Sequence, residues 1–141
     1  MWRCRDKETV TLDPQSRLGI FYSRDSYIFL FSYMTKNREG PGERPATIMY
    51  FWLGKDATAS EKGAVALLIV ELDKEYGAPQ VRVEQGKEPE DFVAIYGNRM
   101  IIRGGSEVGY DEGKVALFQV HGSATFAVRA EQLEAVRKWE E

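Results

Sequence analysis

Nearly continuous apolar runs alternate with polar segments along this chain, and they predict strands. Residues 26–33 and 47–53 are rich in aromatic and β-branched side chains. Weaker strand patterns lie at residues 9–12, 80–83, 100–103 and 115–120. The two strongest runs are typical of central strands buried on both faces, so we expect helices on each side of the sheet.

Helical patterns interrupt the strands. The longest covers residues 58–76 and stops before Gly77, with Pro79 beyond it. Glycine after a helix and proline shortly beyond are common signals of a helix C-terminus. A shorter helix is predicted over residues 89–96 and a third over residues 130–139. Strands with interleaved helices predict an α+β fold in which helices cover the sheet.

One polar segment separates the two strongest strand patterns. Residues 37–45 combine glycine and proline with charged side chains, which block regular structure and keep the segment in water. We expect a long hairpin loop there and not a domain boundary. The length of 141 residues also suits one domain, because folded domains cluster at roughly 100–150 residues.

The predicted 58–76 helix has an outer face that is partly apolar. At about 100° per residue, its core face carries Val65, Leu68, Ile69, Leu72 and Tyr76. The opposite side carries Gly63, Leu67, Val70 and Lys74, with Ala66 and Asp73 on one flank. Leu67 and Val70 are therefore apolar where a solvated face is normally polar. They are either tolerated singly or covered by a loop, or they belong to a stripe that binds a partner.

Charge and residue counts argue against several classes of function. Lysine and arginine number 19 against 22 aspartate and glutamate residues, a net charge of −3, which is unlike a nucleic-acid binder. Cys4 and His121 are the only residues of their types. The chain therefore cannot form an internal disulfide or a multi-histidine zinc site, and we expect no enzymatic activity.

The sequence predicts neither a membrane span nor a signal peptide. The longest apolar-rich stretch, residues 64–70, is far shorter than the ~20 residues that a membrane-spanning helix needs. The N-terminus is charged and no apolar region follows it, unlike a signal peptide. We therefore expect a cytosolic protein, monomeric by itself, with no nucleic-acid or membrane partner.

Several motifs occur in an order that resembles the gelsolin/villin superfamily. Residues 21–27 read FYSRDSY, where that family typically has F-x-x-G-D-x-Y. Residues 50–54 read YFWLG, similar to Y-x-W-x-G, and residues 83–89 read VEQGKEP, similar to V-x-Q-G-x-E-P. The remaining matches are Trp2-Arg3 and residues 60–66, 71–73, 100–105 and 117–120. Together they extend the resemblance over almost the whole chain.

The resemblance implies both a fold and a function. The implied fold is a central mixed β-sheet between one long and one short α-helix, in a gelsolin-like domain over residues 1–129 with a helical C-terminal tail over residues 130–141. The implied function is calcium-regulated actin binding at the cytoskeleton, by monomer sequestration or filament end capping. Family members insert the long helix into a cleft between two actin subdomains. The implied actin contacts are Gly63, Ala66, Leu67, Val70, Asp73 and Lys74.

An interaction module that does not bind actin is the alternative function. Lys74 stands where the family often has an acidic residue, and the loop at residues 37–45 is long. Both features are compatible with a gelsolin-fold scaffold that binds another protein.

The resemblance also implies a calcium site assembled from distant segments. Its ligands correspond to the carbonyl of Arg24, the carboxylate of Asp25, the bidentate carboxylate of Glu61 and the carbonyl of Ser106. Arg24 stands where the family usually has glycine, and a carbonyl ligand tolerates this change although a glycine-only backbone angle does not. The residues alone leave other roles open, because Thr58 and Glu61 form a capping-box pattern and Asp25 suits a turn.

A second calcium ion, shared with actin in some family domains, is implied late in the long helix. Asp73 matches the aspartate that supplies a ligand there, and the carbonyl of Gly77 is a candidate donor. The alternative role for Asp73 is that of a solvated surface acid.

Overall fold

The structure is a computed structural model that describes residues 1–5, 8–13, 19–123 and 126–133. Within these ranges the elements, in chain order, are β1 (Trp2–Arg5), β2 (Glu8–Thr11), β3 (Ile20–Tyr22), β4 (Ser26–Lys36), β5 (Glu43–Leu53), α1 (Ala59–Tyr76), β6 (Gln80–Glu84), α2 (Glu90–Ala94), β7 (Arg99–Arg103), β8 (Phe118–Ser123) and β9 (Phe126–Gln132).

The strands form two sheets. The larger sheet has the order β2-β1-β4-β5-β6, and the smaller one has the order β3-β7-β9-β8. In the larger sheet β4 and β5 form a long antiparallel hairpin, whereas β5 and β6 are parallel. Because β6 follows α1 in the chain, the helix is the crossover that a parallel connection requires. The prediction of an α+β fold with a mixed central sheet is confirmed.

Side chains of β4 and β5 alternate between two buried layers. Tyr27, Phe29 and Trp52 belong to one layer, which also contains Phe92 and Val93 of α2. The other layer contains Ile28, Met49 and Leu53 together with Val65, Ile69 and Leu72 of α1. The central sheet is therefore covered on both faces, as the continuous apolar runs predicted.

Local signals define both ends of α1. At the start, Thr58 Oγ1 accepts a hydrogen bond from the Glu61 N–H (3.3 Å), and Glu61 Oε2 accepts one from the Thr58 N–H (2.6 Å). This is the predicted capping box. At the end, Gly77 has a left-handed conformation (φ 55°) and donates its N–H to the carbonyl of Asp73 (2.8 Å). The prediction of a helix over residues 58–76 is confirmed with Thr58 as its cap.

Some sequence predictions were wrong. Tyr76 was assigned to the core face, but its side chain is 45% exposed, because the helical period predicts a direction and not how far the sheet extends beneath it. The predicted third helix begins at Ala130, but residues 130–132 belong to β9, which pairs with both β7 and β8. These tertiary contacts override the helical preference of a segment rich in alanine, glutamate and glutamine. Residues 134–139 of that predicted helix lie outside the described residues.

Tyr50 gives the fold a dependence on alkaline pH. Its hydroxyl donates a hydrogen bond from β5 to Asp91 Oδ2 of α2 (3.1 Å). Burial, then this hydrogen bond and the charge of Asp91, raise the pKa of Tyr50 to about 12. A tyrosine titrates near ~10 in an unfolded chain. The contribution of Tyr50 to folding stability is therefore complete below about pH 10 and is lost as the pH rises to about 12.

We expect the free energy of unfolding to fall less steeply above about pH 10 in Tyr50→Phe than in the unmodified chain. Urea titrations followed by circular dichroism over this range measure both slopes. Burial also raises the pKa of Tyr27 and Tyr96, but these residues are the same in both proteins, so the difference isolates Tyr50. Equal slopes would contradict the raised pKa.

Candidate functional site

The predicted calcium ligands Arg24 and Asp25 lie in a tight turn between β3 and β4. The Asp25 N–H donates a hydrogen bond to the Tyr22 carbonyl (3.0 Å), which closes the turn. Asp25 is fully buried, whereas the Arg24 side chain is exposed. Among the described residues, the non-glycine residue with a positive φ is Asn98. The backbone at Arg24 therefore does not need the glycine that the family usually has there.

The segment after β7 lies directly beside this turn. The Ser23 and Arg24 N–H groups donate to the carbonyls of Arg103 and Gly105, both at 2.9 Å. The Glu107 N–H donates to Asp25 Oδ2 at 3.0 Å. Ser106, another predicted ligand, is flanked by Gly105 and Glu107, which both form hydrogen bonds with the turn. The structure thus places residues 24–25 beside residue 106.

The start of α1 reaches the same turn through the loop at residues 54–57. The Gly54 N–H donates to the Asp25 carbonyl (3.2 Å), and the Asp56 N–H donates to the Ser23 carbonyl (2.9 Å). At Gly54 a Cβ atom would lie only 2.1 Å from the Ser23 carbonyl oxygen, so only glycine permits this approach. Glu61 follows in the first turn of α1 and is 4% exposed. Hydrogen bonds therefore link the turn at residues 24–25 both to the segment after β7 and to the loop that leads into α1, and Asp25 and Glu61 are both buried.

Oxygen donors dominate this region. Asp25 and Glu61 place two carboxylates in the interior, where a negative charge is costly unless hydrogen bonds or a cation compensate it. The Ser106 hydroxyl is also buried and has no hydrogen-bond partner among the described residues. Carboxylate, carbonyl and hydroxyl oxygens are the donors that Ca²⁺ prefers. The residues present therefore fit a calcium ion.

The number of acidic side chains limits the kind of metal site. Within the described ranges, no group of three or more His, Cys, Asp or Glu side chains is placed to hold a metal ion. A calcium site with two carboxylates must take its other ligands from backbone carbonyls, hydroxyls or water, and calcium accepts such mixtures. The capping role of Glu61 is compatible with this, because a carboxylate has two oxygens and several lone pairs.

The outer face of α1 is open to solvent. Leu67 is 72% exposed and Val70 is 55% exposed. The remaining predicted contacts, Gly63, Ala66, Asp73 and Lys74, are exposed as well. The part of the chain that the structure describes leaves both Leu67 and Val70 uncovered. Leu67 and Val70 form an exposed apolar stripe on α1, and the opposite face of this helix is buried.

A groove runs beside this stripe, and the sequence analysis missed it. It has a volume of about 410 Å³ and lies between α1 and the strands β5 and β6. Ala66 and the stripe residue Val70 line one side of the groove, and Arg82 of β6 lines the other. The groove depends on how α1 crosses the sheet, and neither helical nor strand periodicity contains that information.

The candidate residues for a second calcium ion lie at the C-terminal end of α1. Asp73 and Gly77 are both exposed, and the hydrogen bond from the Gly77 N–H to the Asp73 carbonyl sets their separation (2.8 Å). The carbonyl end of a helix carries partial negative charge, which favours a cation. Both residues are thus accessible to a shared ion, and that role stays a prediction.

The described helices give no indication of a membrane span. Neither of them combines the length and the apolar character that crossing a bilayer demands.

Comparisons with known proteins show what this chain is similar to. The family model of the gelsolin repeat matches residues 13–93. Villidin of Dictyostelium discoideum is 35% identical over 136 residues, advillin of Mus musculus 36% over 141 residues, and gelsolin of Gallus gallus 37% over 141 residues. These alignments cover 95–96% of this chain but only 8%, 16% and 17% of the three relatives. The chain therefore spans a small part of the length of these relatives.

A solved structure is similar in fold. It is described as a complex of Thorarchaeota 2DGel3 with rabbit actin, and it has a TM-score of 0.51 and 20% sequence identity. The match covers 98% of this chain and 64% of the other. Since the gelsolin-repeat model matches more than half of the chain and the curated relatives align with nearly all of it, this chain belongs to the gelsolin/villin superfamily.

Proposed function

We propose that this chain is a non-catalytic actin-binding domain that contacts actin through the outer face of α1. The exposed pair Leu67 and Val70 carries the proposal, because two large apolar side chains, 72% and 55% exposed and one turn apart on the same helix face, form an apolar patch of the kind that binds a partner. Membership of the superfamily supports it. The similar fold seen in complex with rabbit actin supports it as well.

The shape of the helix face fits a partner that approaches closely. A helix that binds in a groove presents apolar residues at spacings of three and four, and Ala66, Leu67 and Val70 have this spacing. Gly63 lies one turn earlier, and a Cβ atom there would contact nothing within 4 Å. Glycine costs a helix about 1 kcal/mol relative to alanine. Since the fold itself does not need Gly63, close contact with actin is the role we assign to it.

Actin polymerisation in the presence of the purified chain tests this function. A monomer-sequestering domain lowers the amount of filament in proportion to its concentration, whereas a capping domain slows elongation at concentrations far below that of actin. The assay is run in calcium and in chelator. Absence of any effect in both conditions, over a wide range of concentrations, would refute actin binding.

Calcium is the proposed regulator. The ligands are the carbonyls of Arg24 and Ser106 and the carboxylates of Asp25 and Glu61. A bound Ca²⁺ would compensate the two buried negative charges. Because Glu61 lies in the first turn of α1, these residues connect the site to the helix that carries the actin contacts. A second ion shared between Asp73, Gly77 and actin is part of the same proposal. We place this activity in the cytoplasm, at the actin cytoskeleton.

We expect calcium to raise the melting temperature of the domain and Glu61→Gln to abolish the rise. At a calcium concentration of 100 times Kd, binding stabilises the native state by about 2.7 kcal/mol, on the order of 10 °C for a domain of this size. Glutamine also completes a capping box, so the substitution removes the charge but keeps the cap. Scanning calorimetry in calcium and in chelator measures the effect.

Glu71→Gln is the matched control, because Glu71 is an exposed residue of α1 away from the site. It should leave the calcium-induced rise unchanged. If Glu61→Gln and the unmodified chain show the same rise, calcium does not bind at Glu61.

A second candidate function is an interaction module for a protein other than actin. Lys74 favours it, because it places a positive charge on the exposed helix face where the family often has an acid. The Leu67 substitution considered in the Discussion separates the two functions.

A further inference from the structure

An ion pair joins the first strand to the segment that is proposed to supply a calcium ligand. Arg3 Nη1 contacts Glu107 Oε2, and the two side chains are only 12% and 21% exposed. We infer that this pair positions Ser106 for calcium, which makes Arg3 and Glu107 positioning residues of the site. The inference rests on the proposed calcium site.

Glu107 holds the segment in place through two groups. Its backbone N–H donates to Asp25 Oδ2 at 3.0 Å, and its carboxylate accepts from Arg3 on β1. Within the segment, the Glu107 carbonyl also accepts from the Tyr110 N–H (3.2 Å), and the ion pair ties this side of Ser106 to β1. The carboxylate of Glu107 is engaged by Arg3, so we assign Glu107 a role outside the ligand set.

The other side of Ser106 is fixed by Gly105. The Gly105 carbonyl accepts from the Arg24 N–H (2.9 Å), and the Gly105 N–H donates to Ser23 Oγ (3.1 Å). Ser106 therefore lies between two anchored neighbours, and the direction of its carbonyl depends on both. Residues that orient metal ligands typically change metal affinity about 10–100-fold when they are altered.

The electrostatic surroundings of Tyr27 place the same groups in one neighbourhood. Arg3 lies directly opposite Tyr27 in the β1–β4 pair, and the Tyr27 hydroxyl is 3.5 Å from Asp25 Oδ2. The Arg3 guanidinium contacts the Glu107 carboxylate, and the Glu107 N–H donates to Asp25 Oδ2. The positive charge of Arg3 therefore offsets part of the negative charge beside Asp25 before calcium binds.

Calorimetric titration of calcium chloride into the full chain tests the inference. We expect Glu107→Gln to weaken calcium binding about 10-fold, and Glu61→Gln to remove it. Glu112→Gln is the matched control: it breaks a second ion pair, Glu112 Oε1 to Arg103 Nη1 (2.7 Å), in which the Glu112 side chain is 75% exposed. The control should bind calcium like the unmodified chain. The double exchange Arg3→Glu with Glu107→Arg should recover most of the lost affinity.

The outcomes separate this inference from the calcium site itself. If the unmodified chain binds calcium and Glu107→Gln binds it equally well, the positioning role is wrong and the site stands. A lower melting temperature in chelator with an unchanged calcium affinity would assign the ion pair to folding alone, and it would also overturn the inference. If the unmodified chain does not bind calcium, the site and the positioning role are both wrong.

Discussion

Leu67→Asp is expected to abolish actin binding without unfolding the domain. The Leu67 side chain is 72% exposed, so its replacement costs the domain little folding free energy. In a contact with actin the same position is apolar and desolvated, and a carboxylate there would be buried without a partner. A hot-spot residue at the centre of an interface contributes about 2 kcal/mol or more, and 2 kcal/mol corresponds to a loss of affinity of roughly 30-fold. Polymerisation assays measure the loss, and circular dichroism verifies the fold.

Val120→Asp is the matched control for this substitution. Val120 is 66% exposed but belongs to β8, in the smaller sheet. The Val120→Asp variant should affect actin polymerisation in the same way as the unmodified chain. Unchanged actin binding by Leu67→Asp would show that the outer face of α1 is not the interface.

Gly54→Ala is expected to be the most destabilising single methyl addition among the described glycines. A Cβ atom at Gly54 would lie 2.1 Å from the Ser23 carbonyl oxygen and 2.7 Å from the Asp25 carbonyl oxygen. Both are backbone atoms, which cannot rotate away as a side-chain tip can. Overpacking costs roughly 1–3 kcal/mol and occasionally more, and we expect about 3 kcal/mol here. This is on the order of a 10 °C fall in melting temperature.

The same substitution should also impair calcium binding. Gly54 holds the turn at Asp25 against the loop that leads to Glu61, so a displaced loop moves the two carboxylates apart. Calorimetric titration with calcium chloride measures this effect below the melting temperature. A stable Gly54→Ala protein with unchanged calcium affinity would contradict the geometry of the site.

Gly63→Ala is a control for Gly54→Ala, because we expect it to change the stability of the domain in the opposite direction. A Cβ atom at Gly63 meets nothing within 4 Å, and the residue lies inside α1. Alanine should therefore stabilise the domain by about 1 kcal/mol. If Gly63 permits close contact with actin, the same methyl group should weaken the complex. Opposite changes in stability and in actin affinity distinguish a binding role from a folding role.

The sequence predicted those parts of the fold that local signals define. Thr58, Glu61 and Gly77 give α1 its two ends, because capping involves only neighbouring residues. The apolar runs of β4 and β5 predicted strands buried on both faces, since each side chain of the run has to leave water. The helix predicted for residues 130–132 was wrong for the converse reason. These residues form a strand because they pair with β7 and β8, and no local pattern contains that pairing.

The candidate site depended on contacts between distant residues. Asp25 and Glu61 could be selected together only through the family resemblance, because their sequence neighbours suggest a turn and a helix cap. The ion pair of Arg3 with Glu107 spans 104 residues of sequence, and its residue types are common on any surface. Helical periodicity predicted the exposure of Leu67 and Val70, because the buried positions of α1 fix the direction in which the remaining side chains point.

Sedimentation velocity of the unmodified chain with monomeric actin measures the proposed complex itself. We expect a complex of one chain with one actin in calcium, a weaker complex in chelator, and no complex with Leu67→Asp. Absence of a complex between the unmodified chain and actin in calcium, at concentrations up to about 100 μM where even weak binding is visible, would contradict it.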